Sequence, residues 1–242
     1  MKQIIPLCVV GFIVWLLCLN NSHDETFEKT TPVKVSQKET NAFDSTDLID
    51  DIVECICYVE GYSAKPYYCG AWSVGFGTTR YTDGSPVTQY SKSLNRTEAR
   101  QALVAHLEKC AFPAIKRNIS RDIKRSNYIG CCMFICSVGE GRFEESSLPE
   151  TINRGASDEE CAEIIAQYVR IHGDVSSGLK KRRWLEGAIY CGYITADDIR
   201  KLKPAAVYSC SLAKLYRHGV PDYRQSTISN FLKEARAREY YS

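Results

Sequence analysis

One carboxyl group in this chain is placed by its spacing where acid chemistry could occur. Apolar residues recur at Ile49, Ile52, Val53 and Ile56, the repeat of one face of a helix, and the next four-residue step lands on Glu60. Gly61 follows as a C-terminal stop. A carboxyl group on an apolar stripe is expected to be buried. Burial disfavours the charged form and raises the pKa, as a general acid working near neutral pH requires. A salt-bridged or rim glutamate would fit the same position.

The helix that carries Glu60 has its own start signals: Ser45 or Thr46 as N-cap, then Asp47, Asp50 and Asp51 near its positive end. Beyond Gly61 the stretch YYCGAWSVGFGTTRYTDGSPVTQ is broken by Gly70, Gly75 and Gly77, and Asp83-Gly84 is a turn signal between extended segments. A small antiparallel β unit is therefore expected after the first helix. The remainder reads as helical. Asn95 with Glu98 forms a capping box ahead of Ala99, Leu103, Leu107 and Cys110, and Ser157 with Glu160 another ahead of Ile164, Ile165 and Tyr168. Tyr128 to Val138 is apolar on all sides yet too short to cross a membrane, so it reads as a buried central helix. From Thr195 onward, TADDIRKLKP and the stretches Ser211 to His218 and Ile228 to Arg238 read as a helical extension. The fold class is α+β, mostly helical, with a folded domain over 45–194 and an extension over 195–242.

Composition narrows the function classes. With 31 Lys and Arg against 29 Asp and Glu the formal charge is only +2, so no global field draws the 242-residue chain to nucleic acid. The 12 cysteines contain no CxxC pair, and His23, His106, His172 and His218 lie far apart, which argues against a structural zinc; neither metal nor cofactor is expected. Cys131, Cys132 and Cys136 sit in an apolar run, as small buried hydrophobes do. Ile4 to Leu19 is almost wholly apolar, with Lys2 before it and NNSHDE after it. As a helix it would reach about 24 Å against a hydrocarbon core of ~30 Å. With no small-x-small cleavage site, residues 1–22 read as an uncleaved anchor whose N-terminus stays inside, and 23–44 as a flexible tether. The rest of the chain is then exported, where some of Cys55, Cys57, Cys69, Cys110, Cys161, Cys191 and Cys210 could pair in an oxidising compartment.

The run EGYSAKPYYCGAWSVGFGTT, Glu60 to Thr79, resembles the catalytic motif of the phage-type lysozymes, glycoside hydrolase family 24. FICSVGEGRFEESSL (Phe134 to Leu148) is similar to that family's central helix and its turn, and GLKKRRWLEGAIYCG (Gly178 to Gly192) to its C-terminal Gly-Leu-x-x-Arg-Arg helix. The resemblance implies a lysozyme-like fold and assigns Glu60 the general acid. It puts Cys69 where the family has an Asp or Cys, and Ser73 at the Thr place. The loop between them is two residues shorter than the family's usual form. With an ordinary pKa of about 8.5, a thiol at position 69 needs a depressed pKa to act as base or nucleophile; a structural or disulfide-bonded Cys69 is the alternative. Ser73 keeps a hydroxyl that could orient water. Asp83 is the nearest later carboxylate, already explained as a turn residue. Ser137 departs from the family's Asn, and Arg182 and Arg183 match its Arg pair, as a solvated or capping helix face or as substrate contacts.

The implied activity is hydrolysis of the β-1,4 bond between N-acetylmuramic acid and N-acetylglucosamine in peptidoglycan by a monomer tethered to the membrane. A tethered peptidoglycan-binding module that has lost catalysis is the alternative, and a transglycosylase leaving anhydro ends is a third reading.

Overall fold

A computed structural model describes residues 45–202 and 206–237. The expected anchor and tether, 1–22 and 23–44, lie outside the described residues. No helix among the described residues is long and apolar enough to cross a membrane.

The first helix, α1 (Ser45–Glu60), is amphipathic as its spacing requires, and buries Ile52, Val53, Cys55, Ile56 and Val59. Gly61 ends it at φ 69°, its N–H donating back to the Cys57 carbonyl at 3.2 Å, a left-handed C-terminal position that glycine occupies without Cβ strain. Asp51 ties the helix down from its other side: Arg125 Nη2 lies 2.8 Å and Arg200 Nη2 2.6 Å from its carboxylate.

The expected β unit follows. Strands β1 (Ser63–Tyr68) and β2 (Trp72–Gly75) pair antiparallel with Tyr68 opposite Trp72 and Tyr67 opposite Ser73, leaving a three-residue turn, Cys69-Gly70-Ala71. Val74, Phe76, Val87, Leu94 and Ala99 form a separate small core beneath it. At Asp83-Gly84 the Asp83 carboxylate accepts from the backbone and hydroxyl of Ser85, which confirms the turn.

Helix α2 (Arg96–His106) starts with the full Asn95–Glu98 capping box. It does not run straight on. A single π turn over Leu107–Ala111 intervenes before α3 (Phe112–Asn118), with Phe112 N–H bonding the Leu107 carbonyl five residues back. Pro113 supplies the reason: lacking an N–H and clashing with the carbonyl four residues earlier, it forces the preceding turn wider.

The centre of the molecule is α4 (Arg125–Val138), buried on nearly all sides as its composition implied. After α5 (Glu140–Glu145), α6 (Leu148–Asn153), α7 (Asp158–Ile165) and the hairpin of β3 (Arg170–Ile171) with β4 (Asp174–Val175), α8 (Ser177–Tyr190) crosses α4 closely. Gly130 makes that crossing possible, since a Cβ there would stand 2.7 Å from the Cβ of Tyr190.

The chain continues through α9 (Ala196–Arg200), α10 (Ala206–Ser209), α11 (Leu212–Leu215), the hairpin of β5 (Tyr216–Arg217) with β6 (Val220–Pro221), and α12 (Gln225–Ala237). Val207, Leu215, Ile228, Phe231 and Ala235 share one core with α1, α4 and α8. Trp184 of α8 stacks edge-on to Phe231 at 5.0 Å and donates its indole N–H to the Asp222 carbonyl at 3.0 Å. No disulfide joins the described cysteines. Cys55, Cys131 and Cys161 are packing residues in this core.

Gly130→Ala weighs two effects. Alanine gains up to about 1 kcal/mol of helix propensity, but its methyl would meet the Cβ and, at 2.9 Å, the backbone Cα of Tyr190. Overpacking costs typically about 1–3 kcal/mol, so urea unfolding is expected to show net destabilisation; an unchanged or raised midpoint would refute the close crossing.

Candidate active site

Glu60 closes α1 at 7% exposure, at the bottom of a cleft whose other walls are Ile56, Leu103, Cys136, His106 and the segment Phe76 to Arg80. The β unit supplies one side, α2 and α4 the other. Arg182 of α8 reaches the Glu60 carboxylate, Nη2 to Oε1 at 2.6 Å. Its Nε donates to Glu186 at 2.8 Å, and Glu186 in turn accepts from Arg183 Nη1 at 2.5 Å. Arg183 Nη2 donates to the hydroxyl of Ser137 on α4.

This arrangement corrects the reading of the Arg pair as a solvated face. Arg182 and Arg183 are 1% and 0% exposed, and Glu186 is 0% exposed. Charges at such depth persist only when paired and hydrogen-bonded, and the two guanidiniums find their partners in Glu60, Glu186 and Ser137. Burial opposes the charge on Arg182, but Glu60 and Glu186 outweigh it and hold its pKa above the ordinary arginine range. For Arg183 burial prevails, and its pKa lies below that range despite Glu186. Ser137, the departure from the family's Asn, has found its partner in Arg183.

Cys69 and Ser73 are brought together by the hairpin register. Cys69 N–H donates to the Ala71 carbonyl at 3.2 Å across the turn, with Gly70 at φ 92°. The Ser73 hydroxyl is wholly buried and lies 3.4 Å from the same carbonyl. Neither residue is among those lining the Glu60 cleft. Burial pushes the Cys69 thiol up; its hydrogen bonds with Ser73 and the turn backbone pull it down, and the negative charge of Glu60 pushes it up again, leaving the pKa raised. The depressed pKa that a thiolate base needs is absent.

Thr78 and Thr79 line the cleft instead, as does His106. The His106 pKa is lowered, by burial and then by Lys109. Asp83 is exposed in its turn, away from the cleft. No group of three or more His, Cys, Asp or Glu side chains that could hold a metal occurs among the described residues.

The pattern of the family described as Phage lysozyme matches residues 58–186, just over half of the chain, and takes in Glu60, the hairpin and the Arg182–Glu186 turn of α8. The chain belongs to the phage lysozyme family. It is a glycosidase of the muramidase type, acting on the peptidoglycan wall outside the cytoplasm. The fold is similar to that of the endolysin from Escherichia coli O157:H7 phage FAHEc1, at 25% identity over 60% of this chain and 93% of that one, with a TM-score of 0.55. A mutant of P22 lysozyme matches at 20% identity over 58% and 94%, TM-score 0.51. The active form of the P1 phage endolysin matches at 18% over 59% and 84%, also with a TM-score of 0.51. No curated protein matches the chain.

Because its pKa is raised, the Cys69 thiol of this lysozyme stays protonated through neutral pH. Iodoacetamide labelling of Cys69 at pH 7 is expected to run well below the rate of an exposed thiol, with no rise in wall-lytic rate as pH climbs from 7 to 9. Fast labelling, or a rate rising with pH and lost in Cys69→Ala, would show a working thiolate.

Proposed function

We propose that this lysozyme cleaves the β-1,4 bond between N-acetylmuramic acid and N-acetylglucosamine with Glu60 as general acid. The observation that carries the reading is the place of Glu60: buried at a helix end, open to one cleft, its orientation fixed by Arg182. Glu60 gives its proton to the glycosidic oxygen as the bond to the anomeric carbon breaks. A water then adds to that carbon, and its proton leaves to solvent or back to the acid. Arg182 stabilises the carboxylate left once the proton has gone.

Among the described residues that line the cleft Glu60 is the one carboxyl group, so the second half of the reaction falls to other groups. Cys69 and Ser73 serve it as a neutral pair that fixes the hairpin, and the hydroxyls of Thr78 and Thr79 orient the water in the cleft. The alternative of a catalytically silent binding module is not favoured, since the buried acid and its partners are intact. Residues 1–22 are proposed to hold the enzyme at the membrane, on the strength of the apolar run from Ile4 to Leu19.

Glu60→Gln is expected to lower the release of reducing ends from purified walls by about 10²–10⁴-fold, the usual contribution of a general acid, with the folded spectrum kept. Retained lysis would sink the assignment, and anhydro ends in mass spectra of the products would replace hydrolysis by transglycosylation. For the anchor, alkaline carbonate should leave the full chain in the membrane pellet and release a chain lacking 1–22; release of both would refute it.

A further inference from the structure

A second pocket lies on the far side of the charge cluster from Glu60. It is lined by Ser137, Arg142, Gln167, Tyr168, Arg170 and Arg183, together with apolar side chains from α4 and α8. Cys136 and Ser137 are neighbours on α4, and the first lines the cleft while the second lines this pocket. The two spaces are therefore separated by little more than one helix edge.

Three guanidiniums line the pocket and no Asp or Glu does. Arg142 forms no ion pair among the described residues: Glu140 and Glu144, its neighbours on α5, both turn to Arg117. Arg170 spends one N–H on the Gly173 carbonyl at 2.7 Å, within its own hairpin. Arg183 is the informative one. Its two terminal nitrogens are taken by Glu186 and Ser137, yet its Nε, wholly buried, has no hydrogen-bond partner among the described residues. A buried cationic donor left unsatisfied is costly, and Glu186 already divides itself between two arginines. The pocket, of about 140 Å³, has room for a carboxylate.

We propose that this pocket binds an oxyanion, and that its occupant is a carboxylate of the peptide stem carried by the wall glycan held in the neighbouring cleft. The proposal rests on the muramidase reading, since that reading puts a polymer with acidic side branches next to the pocket. Planar guanidiniums match carboxylates in bidentate geometry, so Arg142 and Arg170 would grip the group from the rim while Arg183 Nε meets it at the base. Binding there would fix the register of the glycan relative to Glu60.

The test measures binding, in the inactive Glu60→Gln background, to intact walls and to walls whose stem carboxylates have been amidated with carbodiimide and ammonia. Glu60→Gln protein is expected to bind intact walls at least about tenfold more tightly than amidated ones. Adding Arg142→Gln and Arg170→Gln should erase that preference, and Arg142→Lys with Arg170→Lys should restore part of it, which a merely misfolded surface would not do. A soluble stem peptide should compete at constant ionic strength where inorganic phosphate at the same concentration does not. A preference for intact walls that survives both Gln substitutions overturns the pocket, and displacement by phosphate but not by the peptide overturns the stem assignment. Failure of the underlying muramidase reading would show separately, as absence of reducing ends when the unsubstituted enzyme meets intact walls.

Discussion

Two carboxylates and two guanidiniums buried side by side are the constraint around which the rest of this structure is arranged. Glu60 ends α1, Arg182, Arg183 and Glu186 occupy little more than one turn of α8, and Ser137 caps the cluster from α4. Removing charges from water costs several kcal/mol for each ion after relaxation. Only close, multiply bonded pairing offsets that cost. Every helix contributing a charge must therefore hold its position to a fraction of an ångström, and the fold's close contacts serve that end. The Gly130–Tyr190 crossing sets the spacing of α4 and α8, and Asp51, bonded to Arg125 and Arg200, holds the middle of α1. Trp184, directly after the two arginines, couples the same helix to Asp222 and to Phe231 of α12.

Much of this framework was legible in the sequence because it is written in local terms. The apolar repeat of α1 and its Gly61 stop, the Asn95–Glu98 box and the Asp83-Gly84 turn each depend on neighbours within a few residues, and each appears in the structure. The central helix was legible because a short run without a polar face has nowhere to go but inside. The position of Glu60 followed from the same periodicity, without reference to any other protein.

The charge cluster was not legible, for a physical reason. Long cationic side chains default to water, so Arg182 and Arg183 read as a solvated face until a partner is known. The partner for Arg182 lies more than a hundred residues away at Glu60, and no local pattern records it. Glu186 stood in plain view at i+4 and i+3 from the two arginines, but such pairs are commonplace on exposed helices, and only the burial of α8 from Arg182 to Tyr190 gives this one its weight. The π turn before Pro113 was likewise readable only in part. The proline marks a break, but whether a helix kinks, stops or widens there is decided by the packing of Leu107 and Ala111 in the core. The consequence reaches the site, because the widened turn begins directly after His106 and so sets how that imidazole faces the cleft.

The hairpin shows how a small change in chain length can redistribute roles without changing the fold. Side chains in a strand alternate between faces, so the length of the turn decides which residues of β2 point inward. With only Cys69, Gly70 and Ala71 in the turn, Ser73 sits opposite Tyr67 and points wholly into the protein. Its hydroxyl is spent on the turn carbonyl and on Cys69, and the thiol is held neutral by the same enclosure. The strand then runs through Val74, Gly75 and Phe76 before hydroxyl groups reappear at Thr78 and Thr79, on the cleft wall. A residue's match to a motif and its access to the reacting bond are thus separate properties. In Glu60 the two coincide because a helix of fixed pitch carries it, whereas Cys69 and Ser73 owe their positions to a turn whose length is free to vary.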